Sequence, residues 1–356
     1  MKKVVIFCDS EIKIDSKNPL GKPLPGTETS MLHLAKNLAK KGYTISFYGN
    51  CKEFSSGKIH YYPSKKIFRE RKKRQPIIWV RNYSFREFMK LFKNCNNILL
   101  TSDSIKDLEE WYGDKIEKFG KMISSFLLNF NSIVFYSHWQ VKNWRKNIKI
   151  PRKLKISVIY QIVDSIHIKK RFTEKSLKKI INTSHPRKSI KNIAKIAQIL
   201  KRESKDYEFY FLGSPNLYQD REFFLDPNLE FKKFKTKFKK VVKFIPSIPN
   251  IRLNQYYSKS GIFLHPDYSE ETGSLATIEA IAQGIVPIVS NIGSLPEIVG
   301  RGGIVLKKED IIEEGVSTIK SLNQKKAKEI FKIQRDLIRK RYDPKILTAK
   351  WEKLFN

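Results

Sequence analysis

The chain has 356 residues, 40% of them hydrophobic, which is apolar material enough for two domains with cores of their own and excludes a disordered composition. Seventy Lys plus Arg against 35 Asp plus Glu give a net charge of +35, which leaves open an anionic membrane surface, a nucleic acid, or a lysine bias spread over solvated faces. No nucleic-acid-binding motif accompanies the charge, so no nucleic acid partner is expected, and neither a signal peptide nor a run of about 18 apolar residues is present.

Cys8, Cys51 and Cys95 form no metal-ligand spacing and no even disulfide set, which favours a reducing, cytoplasmic setting. Apart from His138, the histidines, His33, His60, His167, His185 and His265, show no i,i+4 pair or carboxylate cluster typical of a metal site, so neither a metal nor another cofactor is expected.

In chain order, Val4 to Phe7 reads as a buried strand, Met31 to Lys41 as a helix and Thr44 to Tyr48 as a second strand after the Gly42 stop. The long loop before that helix ends in Pro25-Gly26-Thr27-Glu28, where Gly26 permits close approach to phosphate or sugar. This β-loop-α-β order begins a doubly wound domain, whose ligands collect at the carboxyl ends of the strands. The charged run Pro63 to Pro76 is expected on the surface. Further strands are expected at Ile77 to Arg81, Asn97 to Leu100, Ser132 to Ser137 and Ser157 to Tyr160. The second of these runs into Thr101-Ser102-Asp103, and the third closes on His138, the best placed of the histidines to face a cleft.

A second domain opens with the strand Lys179 to Thr183, the turn Ser184 to Lys188 and a helix from about Ser189 to Arg202. Strands at Glu208 to Leu212 and Val241 to Ile245 follow, the latter running into Pro246-Ser247. Between them Phe231, Phe234 and Phe238 recur among lysines at near-helical spacing, either core residues under a solvated basic face or a membrane-surface helix. Gly302 to Val305 is expected as another strand, with helix patterns from Asp310, from Lys325 and over Asp343 to Phe355.

The most informative stretch is Ser269 to Glu297. Glu271 and Glu279 have seven residues between them, and a helical path of eight steps would separate them by about 12 Å. Two carboxylates that flank one glycosidic bond stand only about 5–9.5 Å apart. The pair therefore suits one extended ligand held at two points better than a hydrolase acid and base. Ser274 is an expected N-cap for a helix over Leu275 to Gln283, which turns free N–H groups toward the space beside Glu271, where an anionic phosphate is at home.

Glu271, Glu279, Ala280, Gly284, Pro287, Gly293, Pro296 and Glu297 in this order resemble the donor-site signature of retaining GT-B glycosyltransferases of family 4. The segment from Pro25 to Gly49 resembles that family's first motif, with Pro25-Gly26 in place of its usual Gly-Gly pair. The resemblance implies an α/β chain of two Rossmann-like doubly wound domains facing across a cleft, residues 1–165 on the acceptor side and 166–342 binding a nucleoside diphosphate sugar. It also implies a C-terminal helix, 343–356, that crosses back to the first domain. Glu279 would bind the ribose, Glu271 the donor sugar, and Lys188 with Arg187 the diphosphate, helped by the backbone from Gly273 through Ser274 and Leu275. Ser247 lies where relatives hold the base. Asp103 and His138 are acceptor-side candidates, although Ser102 stands where relatives often carry a histidine. The implied activity is retaining transfer to a glycan or lipid-linked hydroxyl, in surface polysaccharide, lipopolysaccharide or glycolipid synthesis, with the leaving phosphate helping to deprotonate the acceptor. An anionic membrane surface on the cytoplasmic side is a further candidate partner. A non-catalytic sugar-nucleotide or glycan binder on the same fold is the second reading, carried by the missing Gly-Gly pair and the missing histidine.

Overall fold

The computed structural model describes residues 2–10, 12–69, 75–81, 91–112, 116–163, 172–217, 227–307 and 309–356. The first half of the chain runs β1 (Lys3–Cys8), α1 (Gly26–Lys40), β2 (Thr44–Gly49), β3 (Phe54–Ser56), β4 (Ile59–Pro63), β5 (Pro76–Val80), β6 (Asn96–Leu100), α2 (Ile105–Tyr112), α3 (Ile116–Phe126), β7 (Ser132–Phe135), α4 (His138–Asn147) and β8 (Lys155–Val158). The second half runs α5 (Glu174–Leu177), β9 (Lys179–Asn182), α6 (Pro186–Glu203), β10 (Glu208–Leu212), α7 (Pro227–Phe238), β11 (Val242–Ile245), α8 (Asn250–Tyr257), β12 (Ile262–His265), α9 (Leu275–Ala282), β13 (Val286–Ser290), α10 (Leu295–Val299), β14 (Ile304–Leu306), α11 (Ile311–Ser321), α12 (Gln324–Leu337) and α13 (Pro344–Glu352).

Two sheets result, ordered β3-β4-β2-β1-β5-β6-β7-β8 and β11-β10-β9-β12-β13-β14. Their pairings are parallel apart from the β3–β4 hairpin. Helices cover both faces of a parallel sheet, which is why β1 and β13 are apolar and buried along nearly their whole length. Strand order reverses beside β1 and beside β9, and a crevice for ligand opens outside the carboxyl ends of the strands at such points.

Several boundaries differ from the sequence reading. α1 starts at Gly26 rather than Met31, because its first turn buries polar residues, Thr27, Glu28, Thr29 and Ser30, which carry no hydrophobic periodicity. α6 starts at Pro186, a residue whose fixed φ and missing N–H suit the first helical position, so Lys188 lies inside the first turn. The hairpin β3–β4 and the helices α2, α3 and α8 were not anticipated, and β8 ends at Val158 rather than Tyr160. Within the charged run after Pro63, Ser64–Arg69 forms a 3-10 turn that buries Ile67. The expected domain border at residues 165 and 166 lies outside the described residues.

The phenylalanines of α7 do not form a free face. Phe238 is buried, and Phe231 and Phe234 pack on the second core, each edge-on to Phe244 at 6.1 and 6.2 Å. Of the two readings of this helix, the packing supports the first: its apolar side is occupied by the protein's own core. No helix of the described residues is long and apolar enough to cross a membrane.

The end of the chain returns to the first sheet. Tyr342 Oη donates to the Ile298 carbonyl at 2.7 Å, and α13 then buries Leu347 and Trp351 in the core shared with α1 and β1. Asn96 Nδ2 donates to the Leu354 carbonyl at 2.6 Å, and Lys41 pairs with Glu352.

Candidate active site

The cleft between the two sheets encloses about 660 Å³ and is lined by the segments that follow β1, β5, β6 and β7 on one side and β9, β10, β11 and β12 on the other. It is of the size and placement expected for a small-molecule site.

On the second sheet's wall, β12 ends in the buried His265, and the loop after it carries Asp267 and Glu271 to the start of α9. Ser274 caps α9, accepting from the Thr277 N–H, as its sequence position predicts. The first turn of α9 contains no acidic residue, and Ser274, Leu275 and Ala276 line the cleft, so the positive end of the helix faces it. The loop is fixed by two glycines. A Cβ on Gly273 would stand 2.6 Å from Tyr136 Cβ across the cleft, and one on Gly293 would stand 2.4 Å from the Glu271 backbone nitrogen. Gly293 also has φ of 56°, and the next N–H, that of Ser294, donates to the Glu271 carbonyl at 2.6 Å.

Lys188, in the first turn of α6, places Nζ 2.6 Å from Glu271 Oε1. Burial works against the lysine charge, but the Glu271 carboxylate outweighs it and holds the ammonium above its ordinary range. His265 Nε2 lies 3.8 Å from Glu271 Oε1 and 3.7 Å from Asp267 Oδ2. Burial would raise the Asp267 carboxyl, yet His265 keeps it below its usual value. The expectation that no histidine stands among carboxylates is therefore corrected. His265, Asp267 and Glu271 bring one ligand atom each within 4.8 Å of one another, so these three could hold a cation, and Lys188 already sets one positive charge on Glu271.

One turn into α9, Glu279 accepts from Asn250 Nδ2 at 3.1 Å and from Tyr257 Oη at 3.3 Å, and Tyr257 also bonds Thr183 Oγ1 at 2.8 Å. Burial, against these two bonds, pushes the Glu279 carboxyl up to about 7. A carboxylate so short of charged partners is suited to accept from ligand hydroxyls. Asn250 and Tyr257 carried no signal in the sequence, because α8 itself was not anticipated.

The first sheet's wall is organised around an ion pair that sequence reading missed. Arg81, at the end of β5, has φ of 48°, a conformation rare for a residue with a side chain and often found at functional sites. Its Nη2 stands 2.6 Å from Oε1 of Glu28 in the first turn of α1. Burial opposes the guanidinium charge, and Glu28 followed by Asp103 overcomes it, so the charge is firmly held.

Gly26, Gly273, Ser274, Leu275, Lys188, Ser247, Glu271, Glu279 and Asp103 all line the cleft. Gly26 has a structural duty as well: a Cβ there would come within 3.1 Å of Leu275 Cβ, so its bareness lets the starts of α1 and α9 meet. Arg187 stands in α6, and its side chain lies outside the described residues. His138 is placed elsewhere. It is exposed, and its N–H, with that of Trp139, donates at 2.9 Å to the carboxylate of Glu297 in α10, which also accepts from Tyr160 Oη at 2.7 Å. The acceptor-side placement of His138 is thus corrected, because Ser137 caps α4 and turns the helix start toward Glu297 rather than into the cleft. Glu297, noted in the sequence only as part of a motif, is a strut between the two halves.

Residues 166–339 match the model of the family glycosyl transferases group 1. O-antigen chain mannosyltransferase B of Escherichia coli is 26% identical over 150 residues, which are 42% of this chain and 38% of that protein, so the likeness spans well under half of either. Among solved structures, sucrose-phosphate synthase from Thermosynechococcus elongatus superposes with a TM-score of 0.73 at 12% identity, covering 100% of this chain and 98% of that one. Anabaena HepE in complex with UDP and glucose gives 0.70 at 13% identity, covering 99% of each chain. The chain resembles the group 1 glycosyltransferases, matching their family model over its second half and taking the GT-B fold over its whole length.

Proposed function

We propose that the protein is a retaining, family 4 type glycosyltransferase that moves a hexose from a nucleoside diphosphate sugar to a hydroxyl acceptor in surface polysaccharide or lipopolysaccharide synthesis. The observation that carries this reading is the Lys188–Glu271 pair beside the acid-free start of α9, with Glu279 one turn along the helix. One ligand spans these features. Glu279 takes the ribose hydroxyls, the α9 start and Lys188 take the diphosphate, and Glu271 takes the sugar hydroxyls.

The chemistry follows from charge. As the bond from the sugar to the diphosphate breaks, negative charge grows on the leaving phosphate. Preset N–H groups and an ammonium stabilise that charge without reorganising, and each charge-assisted bond is worth about 1.5–3 kcal/mol. No metal is needed in this reading, since Lys188 supplies the positive charge. Retention follows the resemblance: the acceptor approaches on the face the phosphate leaves, and the phosphate takes the acceptor proton. The mannosyltransferase likeness supports a hexose and a polysaccharide product.

The test combines two measurements. A screen of nucleoside diphosphates for a rise in melting temperature identifies the base by linkage. Transfer from the matching sugar nucleotide is then assayed in the unsubstituted protein and in Glu271→Ala and Lys188→Ala. Unimpaired transfer in both folded variants would remove the donor-site assignment, and tight nucleotide binding without turnover on any acceptor would favour the sugar-nucleotide binder instead.

A further inference from the structure

We propose that the acceptor taken at the first sheet's wall ends in a sugar rich in hydrogen-bond donors and free of anionic groups, and that termini bearing phosphate or carboxylate are refused. This deepens the glycosyl-transfer reading and rests on it. In a chain of net charge +35, the described residues lining that wall carry the opposite sign: Asp9, Glu28, Asp103 and Asp107 against Arg81.

Each positive feature there already has a carboxylate. Arg81 is matched by Glu28 at 2.6 Å and by the field of Asp103. The start of α1 has Glu28 in its first turn. The start of α2 has Asp107, whose Oδ2 accepts from the Ser104 N–H at 2.7 Å while Ser104 Oγ accepts from the Asp107 N–H at 3.1 Å. The opposite wall also carries carboxylates, Glu270, Glu271 and Glu279, with Lys188 paired to Glu271, but the first turns of both α6 and α9 lack any acid. An anion is therefore better received at the starts of α6 and α9 than at those of α1 and α2.

A second, independent observation says what the first wall does want. Glu28 and Gln161 are 2% and 3% exposed and line the cleft, and Glu28 Oε2 and Gln161 Oε1 have no hydrogen-bond partner among the described residues. Both atoms are acceptors only. A buried acceptor left empty costs about 1–3 kcal/mol, so the ligand that completes the site must bring donors. Sugar hydroxyls do so. Phosphate and carboxylate bring only further acceptors and a like charge.

The experiment holds the donor constant and varies one group on the acceptor: a glycoside with a free terminal hexose, its 6-phosphate, its uronic acid and its amino-sugar analogue. The neutral glycoside should exceed both anions in kcat/KM by at least about tenfold. Asp103→Asn and, separately, Glu28→Gln should narrow that ratio, with the nucleotide-induced melting shift showing that each variant is folded. Anionic acceptors used as well as the neutral one, an amino sugar used no better than the anions, or a ratio unmoved in both folded variants would overturn the proposal. Failure of the underlying reading looks different: no acceptor is used and no nucleoside diphosphate shifts the melting temperature.

Discussion

The two walls of the cleft are made from similar parts, the helix starts that follow parallel strands, yet they treat charge in opposite ways. On the second sheet's wall the starts of α6 and α9 carry no acid, and the cation Lys188 stands among them. On the first sheet's wall Glu28 and Asp107 occupy the corresponding first turns, and the one described cation, Arg81, is bound to Glu28. A helix start is an anion site only while its partial charge is left uncompensated. One side chain per helix therefore sets how well each of these helix starts can receive an anion.

The largest effect that sharpens this contrast is on catalysis. Lys188→Ala removes the cation from the diphosphate and leaves Glu271 buried without its partner, so kcat/KM should fall about 100- to 1000-fold. A loss under tenfold in a folded variant would mean that the helix starts do the work unaided. Next is Gly293→Ala. The new Cβ meets the Glu271 backbone and sits at positive φ, so thermal unfolding should show a loss of about 1–3 kcal/mol together with weakened donor use. Wild-type stability would dissociate Gly293 from the placing of Glu271.

The pH dependence probes Glu279. The fold raises the Glu279 carboxyl from 4.5 to about 7, so the folded state binds the proton more tightly than the unfolded one. Its contribution to stability is full below about 4.5 and is lost as pH rises through about 7. Ligand hydroxyls favour the ionised form, so nucleotide affinity should rise over the same interval with release of a proton. Isothermal titration in two buffers of different ionisation enthalpy would detect that release, and Glu279→Gln should abolish it. The smallest effect is expected at the strut: Glu297→Gln weakens charge-assisted bonds to His138, Trp139 and Tyr160 and should cost about 1 kcal/mol in thermal unfolding.

The donor wall was legible in the sequence because its parts are local. Glu271, Gly273, Ser274 and Glu279 lie on one loop and one helix, so their spacing already encodes their geometry. Lys188 came from a single turn after a strand. Of the charged side chains on the first sheet's wall only Asp103 was legible, through the family resemblance. Glu28, Arg81, Asp103 and Gln161 come from the ends of separate elements, and no pair of them is close in the chain. His265 is a similar case: its neighbours Asp267 and Glu271 are near in sequence, but only the bend after β12 turns all three side chains toward one point.

The sequence alone determined the fold class, the two apolar sheets and the donor loop, since hydrophobic periodicity, helix stops and capping residues act over a few neighbouring positions. Only the tertiary structure decided where α7 turns its phenylalanines, that His138 meets Glu297 instead of the cleft, and that Arg81 is matched by Glu28. Those outcomes depend on which strand ends the parallel crossovers bring together, and on burial and charge that act through space rather than along the chain.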